Sequence, residues 1–225
     1  MMKKAVVLLS GGLDSAVTLY LAKNAGYECH CLTFDYGQRH RAPEIARAKI
    51  IAAAAGAKVT VLKIDMPWKG SSLTDENAAL PSGRSPAEIK RKGVPSTYVP
   101  ARNTVFLSLA ASYAETIDAN RIFIGAHYDD SSGYPDCRKD YLEAIDKAIK
   151  LGTKSGIGNR LKVEFPLISK GKKDIVKLGA SLGVPLKDTW SCYKGGDRPC
   201  GECDSCVLRA KGFKEAGIKD DSGYN

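Results

Sequence analysis

Residues 4–15 read KAVVLLSGGLDS and decide the fold of this 225-residue chain. The first six, from Lys4 to Leu9, are an apolar run with two β-branched valines, which predicts a buried parallel strand. The glycine pair that follows allows a tight turn with positive φ. A helix predicted from Asp14 to Ala25 then points its free N–H groups at that turn. A strand, a glycine turn and a helix in this order predict an anion-binding site.

The same alternation of strand and helix continues along the chain. Apolar runs predict further strands at Cys29–Phe34, Lys58–Ile64, Arg121–Gly125 and Val163–Pro166. Helical spacing predicts further helices at Ala42–Ala55, Ala101–Ile117, Tyr141–Leu151 and Lys172–Leu182, and Gly26 and Gly56 are predicted to end the first two helices of the chain. This order predicts an α/β fold built on a doubly wound parallel sheet.

One long segment, residues 65–96, is rich in Gly, Pro, Ser and charged residues and has no periodicity. An irregular stretch of that length inside a compact domain is typical of a functional or mobile segment.

The composition places the protein among soluble globular chains, with 44% hydrophobic and 26% charged residues. No apolar run approaches the roughly 20 residues that cross a bilayer, and the N-terminus does not resemble a signal peptide. We therefore predict a cytoplasmic protein without a membrane partner. The net charge of +9 is compatible with a solvated basic surface, with nucleic acid or with a small anionic substrate.

The phosphate turn, Ser10 to Ser15, differs from the two commonest nucleotide motifs. It lacks the Gly-Lys-Ser/Thr of a Walker A loop and the spacing of a dinucleotide fingerprint. It resembles the signature of PP-loop enzymes, which cleave ATP between the α- and β-phosphates. Asp14 is predicted to cap the helix or to act through Mg²⁺. The residues predicted to contact ATP are Leu9, Ser10, Gly11, Gly12, Leu13, Asp14, Ser15, Ala16, Val17, Thr18, Leu19, Thr33, Phe34 and Gly125.

Four of the seven cysteines lie close together near the C-terminus, at Cys192, Cys200, Cys203 and Cys206. In a cytosolic protein this spacing favours metal binding over disulfides. We predict a structural zinc site with four sulfur ligands and no catalytic water, while an iron–sulfur cluster and free thiols remain alternatives. The chain is accordingly divided into an ATP-binding α/β domain at 1–188 and a zinc-binding segment at 189–225 packed on it.

The other three cysteines stand apart. Cys29 and Cys31 fall in a predicted strand and are interpreted as inert buried thiols. For Cys137, a structural role and a position near the substrate both remain open.

Five segments together resemble the 7-cyano-7-deazaguanine synthase family of queuosine biosynthesis. They are Leu9–Ser15, Thr33-Phe34-Asp35-Tyr36-Gly37-Gln38-Arg39-His40, Val99–Asn103, Ser132-Gly133-Tyr134-Pro135-Asp136-Cys137-Arg138, and Thr189–Tyr193 with Pro199–Cys206. The first is a signature of the PP-loop class, whereas the second and fourth are specific to the family. The chain has Ala101 where the family often has Gly before the arginine.

The resemblance implies a reaction in two stages. The acid 7-carboxy-7-deazaguanine would be adenylated by ATP and converted by ammonia to the amide. A second adenylation would then yield the nitrile. The resemblance also implies magnesium with ATP, one structural zinc per chain, a homodimer and no direct nucleic-acid partner.

Roles in that reaction follow from residue type and position. The predicted catalytic residues are Asp14, Ser15, Arg102 and Lys172. Arg102, at a helix start, is predicted to bind a phosphate or the substrate carboxylate, with a surface ion pair as the alternative. Lys172 is predicted to neutralise pyrophosphate, with a solvated lysine as the alternative. The predicted substrate residues are Tyr36, Gln38, Arg39, Arg102, Asn103, Asp136 and Arg138, of which Asp136 and Arg138 would read the guanine-like edge. The three histidines, His30, His40 and His127, receive no general-base role.

Three other functions remain open from the sequence. They are a tRNA-modifying PP-loop enzyme, a nucleotide-binding regulatory module of the same fold, and a family member that stops at the amide.

Overall fold

The computed structural model describes residues 2–89, 93–131, 133–158 and 160–224. Residues 90–92 of the irregular segment therefore lie outside the described part. Five parallel strands form one sheet: β1 (Lys4–Leu8), β2 (Glu28–Asp35), β3 (Lys58–Lys63), β4 (Arg121–Phe123) and β5 (Lys162–Glu164). Their spatial order is β3-β2-β1-β4-β5. The helices are α1 (Leu13–Asn24), α2 (Arg41–Ala55), α3 (Pro86–Ile89), α4 (Arg102–Thr116), α5 (Tyr128–Ser131), α6 (Lys139–Gly152), α7 (Lys154–Ile157), α8 (Lys172–Ser181) and α9 (Asp204–Ala216).

The predicted doubly wound α/β fold is confirmed by this order. From β1 the chain passes through β2 to β3 at one edge of the sheet. It then crosses to β4 on the other side of β1 and ends the sheet with β5. Parallel strands that diverge in this way leave a crevice beyond the carboxyl ends of β1 and β4, where ligands of such sheets bind.

Alternation along β1 separates two apolar layers. Val6 and Leu8 pack with α4 and α6 on one face of the sheet. Ala5 and Val7 pack with α1, α2 and α8 on the other face. Because both faces of β1 are covered, its sequence is a continuous apolar run, which is why the sequence predicted this strand.

Most predicted elements differ from the structure only at their ends. The helix predicted from Tyr141 begins at Lys139, and the strand predicted to reach Gly125 ends at Phe123. Gly56 ends α2 with a φ of 68°, as predicted, whereas the C-cap of α1 is Ala25 and Gly26 follows it.

Helix α9 was not predicted. Its first turn carries Cys206, whose presence in the cysteine cluster hid the helical spacing of Arg209 and Phe213.

The irregular segment is attached to the C-terminal part of the chain at several points. Arg84 makes a bidentate ion pair with Asp204, and Ser82 pairs with Cys203 as an antiparallel bridge. Nearer the start of the segment, Arg39 donates hydrogen bonds to the carbonyl oxygens of Asp75 and Ala78. These contacts fix parts of a segment that the sequence described only as irregular.

Candidate active site

The turn after β1 is closed by its own hydroxyl groups. The N–H of Ser10 donates to Ser15 Oγ at 3.2 Å, and Ser15 Oγ donates to the carbonyl oxygen of Gly12 at 2.9 Å. Gly11 has a φ of 82°, and a Cβ there would lie 2.4 Å from the carbonyl oxygen of Glu44. Glycine is therefore required both for the backbone conformation and for the contact with α2. The result is a tight turn at the N-terminus of the twelve-residue helix α1.

A cavity of about 240 Å³ opens at this turn, between the carboxyl ends of β1 and β4. It joins residues that are far apart in the sequence. The predicted site residues that line it are Leu9, Ser10, Gly12, Leu13, Asp14, Ser15, Phe34, Tyr36, Arg102, Asn103, Gly125 and Lys172. All four predicted catalytic residues thus face one cavity, and their chemical roles remain predictions.

Asp14 and Lys172 form an ion pair in this cavity. Lys172 Nζ lies 2.9 Å from each carboxylate oxygen of Asp14 and 2.9 Å from His127 Nε2. Burial by itself would raise the pKa of Asp14, but the charges of Lys172 and His127 outweigh it and hold this pKa below its usual value. The Asp14 carboxylate is therefore ionised at neutral pH, which is the form in which a carboxylate binds a cation.

Arg102 lines the same cavity and is partly buried. Its Nη1 donates to the hydroxyl of Tyr36 at 3.0 Å. Burial would lower the pKa of Arg102, but Tyr36, Cys137 and Asp136 raise it above its usual value. Burial raises the pKa of Tyr36, so its hydroxyl stays protonated. Lys172 and Arg102 thus both present cationic side chains to the cavity.

Asp136 holds the N-terminus of α4. Its Oδ2 accepts from the N–H of Asn103 at 2.9 Å, and Asn103 Nδ2 donates to Asp136 O and to Cys137 Sγ. Asp136 does not line the cavity, while Cys137 does. Arg138 is exposed and pairs with Asp140. The predicted reading of a guanine-like edge by Asp136 and Arg138 stays a prediction that these positions do not support.

Other predicted site residues lie behind the cavity wall. Ala16, Val17 and Leu19 are fully buried in the apolar layer of α1. Thr18 and Thr33 bond to the carbonyl oxygens of Asp14 and Leu9. Gln38 is buried with its amide bonded on both sides, and Arg39 bonds to the irregular segment as described above. Ligand contacts by these residues, and by Gly11, stay predictions.

The cavity is also lined by residues that were not predicted from the sequence. They include Glu44, Phe106, Trp190 and Arg209, while His127 contacts the cavity residue Lys172. Phe106 stacks on Phe34 with ring centroids 3.9 Å apart, which gives the cavity a flat apolar wall. Glu44 could have been found by its position four residues after His40, in the first turn of α2. No sequence signal placed Arg209, because its helix was missed.

The four C-terminal cysteines converge as predicted. Their sulfur atoms all lie within 4.8 Å of one another, with Cys200 and Cys206 at 3.9 Å and Cys203 and Cys206 at 3.4 Å. A zinc ion about 2.3 Å from each of four sulfurs would separate them by about 3.8 Å. The N–H groups of Tyr193, Cys200 and Cys203 point at three of the sulfurs. The cluster is therefore able to hold a metal ion with four thiolate ligands.

The buried side chain of Arg209 ties this cluster to the cavity. It is 1% exposed, donates to Asp220, Ser222, Thr189, Ser191 and Leu186, and lies over the rings of Phe213 and Tyr224. The N–H of Trp190 donates to the carbonyl oxygen of Gly11 at 2.9 Å. The C-terminal segment therefore forms part of the cavity wall, and the predicted domain division at residue 188 stays a prediction.

Cys29 and Cys31 do not line the cavity, whereas Cys137 does. Burial raises the pKa of Cys29 to about 11 and raises the pKa of Cys31 further, which agrees with inert thiols. Within the described part of the chain, no helix has both the length and the apolar character needed to cross a membrane.

A glycine turn, a carboxylate and a lysine at the switch point of a parallel sheet define an α/β protein of the PP-loop class. The fold is similar to NMN synthetase from Francisella tularensis, with a TM-score of 0.52 and 14% identity over 97% of this chain and 79% of that one.

Sequence comparison narrows the class to one family. The family described as "Queuosine biosynthesis protein QueC" matches residues 4–217. The 7-cyano-7-deazaguanine synthase of Thermoplasma acidophilum is 50% identical over 222 residues, 99% of this chain and 92% of that protein. The enzyme of the same name from Nostoc punctiforme is 51% identical over 223 residues, 98% of this chain and 99% of that protein. The chain therefore belongs to the QueC family, as its motifs predicted.

Proposed function

We propose that this protein converts 7-carboxy-7-deazaguanine and ammonia to 7-cyano-7-deazaguanine, using two molecules of ATP. The observation that carries the proposal is the single cavity in which the phosphate turn faces both Lys172 and Arg102. The name shared by relatives about half identical to this chain supports the same reaction.

The phosphate turn and Lys172 are suited to the first step. The carboxylate of the substrate attacks the α-phosphorus of ATP, and pyrophosphate leaves. Free N–H groups at the start of α1 stabilise the phosphates, and Lys172 neutralises charge that develops on the leaving pyrophosphate. Magnesium, when bound with ATP, would supply further charge neutralisation, and the Asp14 carboxylate would hold it.

Arg102 is suited to orient the acid. Its guanidinium can hold one carboxylate oxygen while the other attacks phosphorus. Ammonia then forms the C–N bond as the C–O bond to AMP breaks, which gives the amide. In the second stage the amide oxygen attacks a second ATP, and loss of AMP and of the nitrogen-bound protons leaves the nitrile.

The cysteine cluster is suited to zinc in a structural role. Four thiolates fill a tetrahedral shell, so such an ion has no open position for a substrate. We also propose that the protein is a cytoplasmic homodimer that needs no nucleic acid, as the family resemblance implies. Light scattering of the purified protein would check the homodimer, and a gel-shift assay with tRNA would check the absence of nucleic-acid binding.

The decisive experiment is a turnover assay with the deazaguanine acid, ammonium and ATP, followed by mass spectrometry. We expect the nitrile mass together with AMP and pyrophosphate. Accumulation of the amide alone would instead identify an enzyme that stops after the first stage. No AMP formation with this acid would contradict the proposal.

A matched pair of variants tests the role of the cavity. Asp14→Asn should abolish ATP–pyrophosphate exchange while circular dichroism is unchanged. Asp174→Asn, at an exposed position in the first turn of α8, should retain exchange. Full exchange in Asp14→Asn would refute the assignment of the phosphate site.

A further inference from the structure

Glu44 is a carboxylate in the cavity wall that has no lysine or arginine partner among the described residues. Of the described residues that line the cavity, Asp14 and Glu44 are the acidic ones, and Asp14 is paired with Lys172. Among the described residues, no lysine or arginine lies within 4.0 Å of the Glu44 carboxylate, and its side chain is 16% exposed. A largely buried carboxylate without such a partner requires hydrogen-bond donors, which a ligand in the cavity can supply.

The position of Glu44 is fixed by two neighbours that leave accepting capacity on both oxygens. Gln38 Nε2 donates to Oε2 at 2.9 Å, and His40 Nε2 lies 3.5 Å from Oε1. Gln38 is itself held by the carbonyl oxygen of Phe34 and the N–H of Tyr36. Each carboxylate oxygen can accept a further hydrogen bond. The pair of oxygens therefore forms a fixed double acceptor.

Tyr36 is connected to both Arg102 and Glu44. Arg102 donates to the Tyr36 hydroxyl, and the N–H of Tyr36 donates to Gln38, whose amide donates to Glu44. The cavity thus has an anion-binding group and a double acceptor connected through one tyrosine, and Phe34 and Phe106 line the same cavity with a flat wall.

A 7-carboxylated deazaguanine has the complementary shape. Its carboxylate is an anion at one end of a planar ring. Its N1–H and exocyclic 2-amino group form a double donor at the other end. We infer that Glu44 binds the N1–H and 2-amino edge of the deazaguanine ring and sets the specificity for a guanine-type base. This inference rests on the proposed function.

Two substrates that differ at position 2 of the ring provide the test. In ATP–pyrophosphate exchange, the acid that lacks the 2-amino group should show a KM about 10- to 100-fold higher than the parent acid with the wild-type protein. This measurement needs no variant. Equal KM values for the two acids would overturn the inference.

Glu44→Gln should raise the KM of the parent acid by a similar factor and leave the KM of ATP nearly unchanged. Because a glutamine presents one acceptor and one donor, the variant should gain activity with the deazaxanthine acid, which has N1–H and a 2-oxo group. Glu143→Gln, at an exposed position on α6, is the matched control and should leave both KM values unchanged and gain no activity with the deazaxanthine acid. A rise in the KM of ATP alone, or an unchanged KM of the parent acid, would overturn the assignment.

Failure of the proposed function gives a different result. In that case the wild-type protein catalyses no exchange with any of the deazapurine acids, whatever residue stands at position 44. If Glu44→Gln does not fold, equal KM values for the two acids with the wild-type protein still overturn the inference.

Discussion

Gly212 lies directly against the side chain of Lys172. A Cβ at Gly212 would be 2.4 Å from Lys172 Cγ and 3.0 Å from Lys172 Cβ. Helix α9 can approach α8 this closely because position 212 has no side chain, and the contact holds the stem of Lys172 in the direction of Asp14.

Gly212→Ala should therefore displace Lys172 from Asp14. We expect ATP–pyrophosphate exchange to fall by about 10- to 100-fold, since displacement of a positioning group by about 1 Å can cost that much. The control is Gly152→Ala, in the last turn of α6, where an added Cβ meets nothing within 4 Å. Circular dichroism and thermal unfolding would separate a misplaced lysine from an unfolded chain. Unchanged exchange in Gly212→Ala would show that the contact does not position Lys172.

Ala101 adopts a left-handed backbone conformation, with φ 52° and ψ 25°, immediately before Arg102. This conformation costs an L-residue about 1–2 kcal/mol. Glycine avoids that cost, but it loses more conformational entropy on folding, which offsets part of the gain. Ala101→Gly should increase the free energy of unfolding by up to about 1 kcal/mol. Asp118→Gly, at a φ of 55°, should gain less because aspartate tolerates this region better. Urea denaturation of both variants measures the difference, and destabilisation by Ala101→Gly would contradict the argument.

The cysteine cluster should bind one metal ion per chain. We expect metal analysis of the purified protein to find about one zinc per chain. Cys203→Ser should remove the metal and lower the free energy of unfolding by several kcal/mol. Cys29→Ser, in strand β2 and outside the cluster, should keep its metal. A wild-type protein that is folded and active but free of metal would refute the structural-zinc assignment.

Asp220 is the counterion of the buried Arg209, and the two side chains are 7% and 1% exposed. Burial would raise the pKa of Asp220, but Arg209 and Ser222 lower it below its usual value of 3.8. The Asp220 carboxylate thus binds its proton more tightly in the unfolded chain than in the folded one. The contribution of this ion pair to the free energy of unfolding is therefore present above pH 3.8 and is lost as the pH falls through the folded-state pKa of Asp220.

Asp220→Asn should cost about 3–5 kcal/mol at neutral pH, because it leaves a buried guanidinium without its counterion. The difference from wild type should shrink as the pH falls below about 4. Asp221→Asn is the matched control, since Asp221 is an exposed partner of Lys219. Denaturant titrations at several pH values check this, and a difference that does not depend on pH would contradict the assigned cause.

The sequence predicted the features that depend on local pattern. The strand, turn and helix around Ser10 to Ser15 and the convergence of four cysteines were both read from spacing. Contacts between distant residues were not readable in this way. Nothing in the sequence pairs Lys172 with His127, or places Asp136 at the start of α4 and outside the cavity. Arg209 was missed because the cysteine spacing masked its helix.

The hydroxyl of Tyr224 accepts hydrogen bonds from the N–H groups of Ser191 and Cys192, next to the residue that bonds the phosphate turn. This arrangement has a consequence for synthesis on the ribosome. The phosphate turn is synthesised roughly 200 residues before Tyr224, yet one wall of its cavity forms only after Tyr224 has emerged. A nascent chain therefore exposes an unfinished cavity while those intervening residues are made, and any protection of it during that time must come from outside the chain.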